Sequence, residues 1–348
     1  MRRPSARRTT ALLAAGLLLP VLAACGSESD KGGSTEAGDS ALVIYSGRNE
    51  KLVKPILDKL EKAVGTKVEV RYGDSAELAA QLLEEGERTK AGLFFSQDAG
   101  ALGALSKEGM LAKLPSSSLD AVDEAYRGGA GDWVGLSGRV RVIAYNPDEV
   151  AEDEVPDSVH DVVRPEWKGK VGFAPTNASF QAFVTGMRVL EGDDATRAWL
   201  KGLKDNGRTY ANNLATLDAV ESGEVELGLV NHYYWYERVA EKGEDEVDAK
   251  LKFLPGKDPG ALINVAGVGI LKDSEQAETA QKAVDYLLSE EAQTYFADKT
   301  KEYPLAAGVT SSVEGLPPFD SLQSPDIDLG KLESLQETLA MLQDVGLV

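Results

Sequence analysis

An α/β fold of two lobes with a central cleft is what this sequence predicts, on three observations. Short apolar runs closed by turn residues alternate with stretches of helical periodicity, the pattern of a parallel sheet covered by helices. That alternation is set out near the start of the chain and resumes after residue 170. The 348 residues leave enough chain for two separate cores, and the single cysteine, Cys25, rules out an internal disulfide, so packing alone must hold the fold.

In chain order, the first segment is an address. Arg2, Arg3, Arg7 and Arg8 precede an apolar run over 11–24, too short for the roughly 20 residues of a membrane-spanning helix. Residues 1–24 therefore read as a secretory signal. The run ends in Leu22-Ala23-Ala24-Cys25, which resembles a bacterial lipobox and implies lipidation at Cys25. Residues 25–40 are Gly, Ser, Asp, Glu and other small or polar types with nothing to bury, so a flexible tether is expected.

The folded part begins at 41–46, a short apolar strand closed by Gly47. Leu52, Val53, Ile56, Leu57, Leu60 and Val64 then recur at helical spacing, with Pro55 tolerated in the opening turns. A strand over 67–72, a helix over 76–87 and a strand over 91–96 complete the first alternation. The second consists of a strand at 170–174, a helix carrying Phe180, Phe183, Val184, Met187 and Leu190, and helices near 194–204 and 214–222. A strand over 225–230 and a helix over 233–242 follow. Residues 264–271 read as a returning strand, 275–299 as one long helix, and 330–344 as a last helix after a polar tail. Lobe one is expected to comprise 41–137 plus 265–300, and lobe two 138–264 plus 301–348.

Composition excludes several functions. With 37 basic and 57 acidic residues the net charge is −20, which repels a phosphate backbone, so nucleic acid is not an expected partner. Beyond the signal no apolar run can span a bilayer, leaving the lipid as the only membrane contact. The two histidines, the absence of a thiol beyond Cys25, and the lack of a Gly-x-Ser-x-Gly elbow or phosphate loop argue against an enzyme.

Three segments carry candidate binding chemistry. Asn231-His232-Tyr233-Tyr234-Trp235 follows a strand and opens a helix, with Asn231 suited to cap it. Two neighbouring phenols can converge at such a bend, or the segment can be an aromatic cluster between lobes. Strand alternation puts Arg139, Arg141 and Tyr145 on one face, either lining the cleft or pairing with surface acids. Pro175-Thr176-Asn177-Ala178-Ser179 precedes a helix, and its backbone N–H groups suit either an anion or a plain cap.

Together these segments are similar to the ferric-ion-binding proteins of bacterial iron-uptake ABC transporters. The resemblance runs from Leu42 almost to the C-terminus. It includes Val43-Ile44-Tyr45-Ser46-Gly47-Arg48, Trp133-Val134-Gly135-Leu136-Ser137-Gly138-Arg139, Pro165-Glu166-Trp167-Lys168-Gly169-Lys170, the paired tyrosines, and Glu302-Tyr303-Pro304-Leu305. It implies a type II periplasmic-binding-protein-like fold with two main interlobe crossings, and an exported monomer lipid-anchored to the outer face of the cytoplasmic membrane. It further implies Fe³⁺, free or as a small complex, held by tyrosine phenolates with a synergistic carbonate or phosphate and delivered to an ABC permease. Carried over by position, Tyr145, Tyr233 and Tyr234 are the expected metal ligands. Arg139, Asn177, Ala178, Ser179, Asn213 and Asn231 are the expected anion contacts, and Tyr45, Arg48, Asn49 and Gln97 the first-lobe face of the cleft. Some relatives have His and Glu where this chain has Asn49 and Gln97, so a tyrosine-only site completed by anion or water is expected, with His232 as a hydrogen-bonding or spacer residue. Capture of a small oxyanion or organic anion without metal is the alternative.

Overall fold

The computed structural model describes residues 41–348; the expected signal, Cys25 and the tether lie outside the described residues. Strands β1 (Leu42–Ser46), β2 (Val68–Tyr72) and β3 (Leu93–Ser96) pair in parallel in the order β2-β1-β3. Helices α1 (Glu50–Val64) and α2 (Ser75–Glu85) connect them, and α3 (Ala99–Lys107) follows β3. Helix α1 starts where Asn49 accepts from the Lys51 backbone N–H and stops at Gly65, whose φ of 74° suits glycine. Its Val53, Ile56, Leu57 and Leu60 form one buried stripe.

Sequence periodicity does not reveal α3, which is built from alanines and glycines around Leu102 and Leu105. A Cβ on Gly100 would come within 2.5 Å of the Leu332 carbonyl oxygen, so small residues let the tail lie directly on this helix. After the single turn α4 (Ser116–Leu119) comes β4 (Trp133–Tyr145), a strand buried along its whole length.

The second lobe holds β5 (Val171–Phe173), α5 (Ala178–Glu191), α6 (Asp193–Asn206), β6 (Gly207–Thr209), α7 (Asn213–Glu221), β7 (Leu227–Asn231), α8 (Tyr233–Lys242) and β8 (Lys250–Lys252). Strand β9 (Ile263–Ile270) then returns to the first sheet between β3 and β4. The helix expected over 275–299 is two helices, α9 (Ala277–Leu287) and α10 (Glu290–Thr300). The break falls where the Ser289 side chain accepts from Ala292 N and caps the second of them. Strand β10 (Tyr303–Pro304) pairs with β4, and α11 (Leu335–Asp344) ends the fold. No described helix is long and apolar enough to cross a membrane.

Strand β4 changes partner in mid-course, and that change positions the site. Arg139 and Val140 lie opposite Asn264 and Ile263 of β9, whereas Arg141 lies opposite Asn231 of β7. Beyond this point alternation sorts the side chains. Ile143 and Tyr145 enter a core with Phe173, Phe180 and Trp199, while Val142 and Ala144 enter one with Leu217, Val230 and Trp235. The first lobe has its own core around Ile44, Leu60, Phe94 and Phe296, which also takes in Leu305, Leu329 and Leu332. Met341 and Leu342 of α11 pack in the second lobe, so the C-terminal stretch contributes to both.

Candidate functional site

Where the strands cross, the two lobes enclose a cavity of about 130 Å³. Gln97, Arg139, Asn177, Ala178, Ser179, Asn231, Tyr233 and Tyr234, all expected from sequence, line it. Asp98, Arg141, Phe183, Leu262 and Asn264 complete the lining.

The tyrosines reach it because β7 runs almost directly into α8. His232 already has helical dihedrals, so Tyr233 and Tyr234 emerge at the bend with ring centroids 4.2 Å apart and planes inclined by 32°. Burial and the adjacent Tyr234 push the Tyr233 phenol well above its ordinary pKa, against the pull of the Arg139 charge. Tyr233 is therefore held as the neutral phenol.

The second-lobe wall turns its acceptors inward. Asn177 Oδ1 accepts from Ser179 N at 3.0 Å, Ser179 Oγ at 2.7 Å and Asn213 Nδ2 at 3.0 Å. Asn231 Oδ1 accepts from Arg141 Nη1 at 3.3 Å. With those oxygens occupied, the amide NH₂ groups of Asn177 and Asn231 remain as donors beside the start of α5. Such a wall suits an anion.

Behind it stands a buried ionic junction. Glu302, 1% exposed, accepts from both Arg48 Nη atoms at 3.0 and 2.7 Å, from Ser137 Oγ at 2.7 Å and from Thr300 Oγ1 at 3.1 Å. Its Oε1 lies 3.6 Å from Arg139 Nη1, and Arg139 Nη2 donates to the Gln97 carbonyl. Burial alone would raise the Glu302 pKa, but Arg48 and Arg139 hold it at about 2. His232 braces the same junction. Val140 N donates to its Nδ1 at 3.2 Å, which leaves Nε2 to donate to Lys301 O at 3.0 Å. Burial lowers the pKa of His232 to about 4, so it stays neutral, a strut between β4 and the end of α10.

Five expected residues do not line the cavity. Tyr145 shares the face of Arg141 but sits four residues farther along β4, about 13 Å away, in the second-lobe core. It does not line the cavity. Tyr45 points toward α2, where its hydroxyl lies 3.1 Å from both Glu85 oxygens and 3.3 Å from Arg71 Nη1. Asn49 is an exposed cap of α1, and Arg48 is consumed by Glu302. Asn213 stands behind the wall and donates to Asn177 and Ser179 without lining the cavity. Asp98 and Asn264 carry no signal in the sequence, whereas strand alternation places Arg141 on the face of Arg139 without assigning it a ligand. Among the described residues no group of three or more His, Cys, Asp or Glu could hold a metal, so tyrosine oxygens are the distinctive donors here.

Two lobes joined by crossing strands, with a polar cavity at the crossing, define a solute-binding protein of the type II periplasmic class. The chain belongs to the bacterial extracellular solute-binding protein family, which residues 89–328 match. It is a binder rather than an enzyme. A similar relative is the major ferric iron-binding protein of Neisseria meningitidis serogroup A, 35% identical over 311 residues that span 88% of this chain and 93% of the relative. Iron-bound HitA from Pseudomonas aeruginosa is similar in structure, with a TM-score of 0.82, 37% identity, and coverage of 88% of this chain and 99% of that one. A Trichodesmium protein (IdiA, FutA) solved with iron and citrate ligands superposes with a TM-score of 0.76 at 28% identity, over 88% of this chain and 99% of that one.

Proposed function

We propose that this protein captures Fe³⁺ outside the cytoplasmic membrane and delivers it to an ABC permease. Tyr233 and Tyr234 supply phenolates, and Arg139, Asn177, Ala178, Ser179 and Asn231 hold a companion anion such as carbonate or phosphate. The observation that carries this reading is the convergence of two adjacent phenols on a cavity walled by hydrogen-bond donors. Fe³⁺ is a hard acid that favours charged oxygen, and its charge displaces phenol protons as metals displace thiol protons. The names carried by the Neisseria and Pseudomonas relatives support the same cargo. A lipid on Cys25 would keep the protein, as a monomer, beside its permease, with the tether giving reach.

Visible titration of the chelator-stripped protein with ferric citrate tests the reading. A phenolate-to-iron band saturating at about one iron per chain, and lost in Tyr233→Phe and Tyr234→Phe, is expected. Thermal stabilisation by phosphate or carbonate with no band under any condition would instead favour capture of an anion alone.

A further inference from the structure

The C-terminal tail laces the two lobes together. Leu305 N and Ala306 N donate to Gln293 Oε1 of α10 at 2.9 and 3.0 Å, in the first lobe. The Gly315 carbonyl then accepts from Tyr236 Oη of α8 at 2.8 Å, in the second. Ser324 Oγ accepts from Ile263 N of the crossing strand β9 at 3.2 Å. Leu329 and Leu332 return to the first-lobe core, and Met341, Leu342 and Val345 end in that of the second. This last passage runs between the helices that carry the cavity walls.

Helices α3 and α5 both begin at the cavity, where their capping residues Asp98 and Asn177 line opposite walls. Parting the walls therefore parts these helices, and the end of the tail grips both. On α3, Gly100 and Gly103 let the main chain lie flush: an added Cβ would overlap the Leu332 and Gly330 carbonyl oxygens respectively. On α5, Arg188 Nη1 donates to Ser334 O at 2.8 Å and to Thr338 Oγ1 at 3.0 Å, and the Thr185 and Thr338 hydroxyls pair at 2.8 Å. Ser334 alone stands between the 3₁₀ turn Leu329–Glu333 and α11. One residue of chain adds at most about 3.6 Å of reach, so a wider opening breaks one grip. The grips are unequal. The second-lobe grip buries three apolar side chains and adds a hydrogen bond from Lys204 Nζ to Val345 O at 2.7 Å. The first-lobe grip has two leucines and the Lys107–Glu333 ion pair, which lies largely in water and contributes little.

We propose that the tail is a strap between the two cavity walls, which limits how far the lobes part and gives way at residues 329–333 rather than at α11. It rests on the ferric reading only for the cargo used to test it. Hydrogen exchange compares the full chain stripped by a chelator with the same chain saturated with ferric citrate. Amides of residues 329–333 should exchange roughly tenfold faster in the stripped protein, and those of α11 equally in both. Gly103→Ala adds only the methyl that displaces Gly330, and Leu332→Ala loosens the same grip from the tail side; circular dichroism checks that both fold. Each variant should show a larger radius of gyration than the stripped parent in small-angle scattering, and should lose iron to excess chelator roughly tenfold faster. Identical exchange of residues 329–333 in the two states, in protein that shows the iron band, would overturn the strap, as would variants whose scattering matches the parent. Faster exchange of α11 instead would overturn the assignment of the grip that yields. No iron band would remove the ferric reading, and the scattering of the stripped variants would then decide the strap alone.

Discussion

Arg139 and Arg141 are two residues apart on one strand, and both are buried, yet their surroundings are opposite. Arg139 belongs to a closed network in which Glu302 meets Arg48, Ser137 and Thr300 as well. Arg141 has neutral hydrogen-bond partners, two aromatic rings and no acid. One region uses its charges to hold the crossing strands together, and the other has no acidic partner among the described residues. Where a buried ion is compensated within the chain its loss should cost stability, and where it is not its loss should cost binding.

The largest expected effect is on the compensated side. Glu302→Ala leaves Arg48 and Arg139 buried without a carboxylate and should destabilise the fold by about 3–5 kcal/mol, measured by urea unfolding at pH 7. The acid limb should change with it. The folded pKa of Glu302, about 2, lies below its unfolded value, so its stabilisation is present above the unfolded pKa and is lost as pH falls toward 2. A variant whose acid unfolding between about pH 5 and 2 matches the parent would break the comparison.

On the ligand side, Tyr233→Phe and Tyr234→Phe should each weaken iron binding by more than about 100-fold, since even residues behind a metal's ligands are worth 10–100-fold. Their unfolding midpoints without iron should stay near the parent's. Because iron must displace the phenol protons, apparent affinity should fall by roughly tenfold per phenol per pH unit on acidification. A pH-independent affinity would mean that the phenols are packing residues.

A mirror image of Arg141 sits one turn into α8. Glu237 has a buried oxygen with no hydrogen bond, and burial together with the Glu302 charge raises its pKa to about 7. A carboxyl whose folded pKa exceeds its unfolded one costs stability as pH rises from about 4.5 to 7. Glu237→Gln should therefore stabilise the protein by on the order of 2 kcal/mol at pH 8, with the gain vanishing near pH 4 in paired urea titrations.

Much of this was legible in the residues. The stripe of Val53, Ile56, Leu57 and Leu60, the apolar strands and the Tyr233-Tyr234 bend are local patterns, and each appears where periodicity placed it. What escaped is not local. Helix α3 has no apolar stripe because its glycines serve contact with a tail more than 200 residues away. Arg48 and Glu302 are 254 positions apart, and neither neighbourhood announces the other. For Tyr145, alternation identified the correct face of β4 but not how far along that face the cleft ends.

That last distinction gives the smallest and most selective prediction. If the cleft ends at Arg141, Tyr145→Phe should leave the iron band and its half-saturation unchanged, because the phenol lies in the second-lobe core with the ring retained in the variant. Asn49→Ala should behave likewise on the first-lobe side. It removes the cap of α1, an exposed bond to Lys51 N at 3.0 Å, and should cost about 1 kcal/mol of stability with no effect on binding. Paired melting curves and iron titrations separate the two quantities. A variant at either position that keeps its stability but loses the band would extend the site beyond the crossing, to the far end of β4 or to the start of α1, and would restore a third ligand to the cleft.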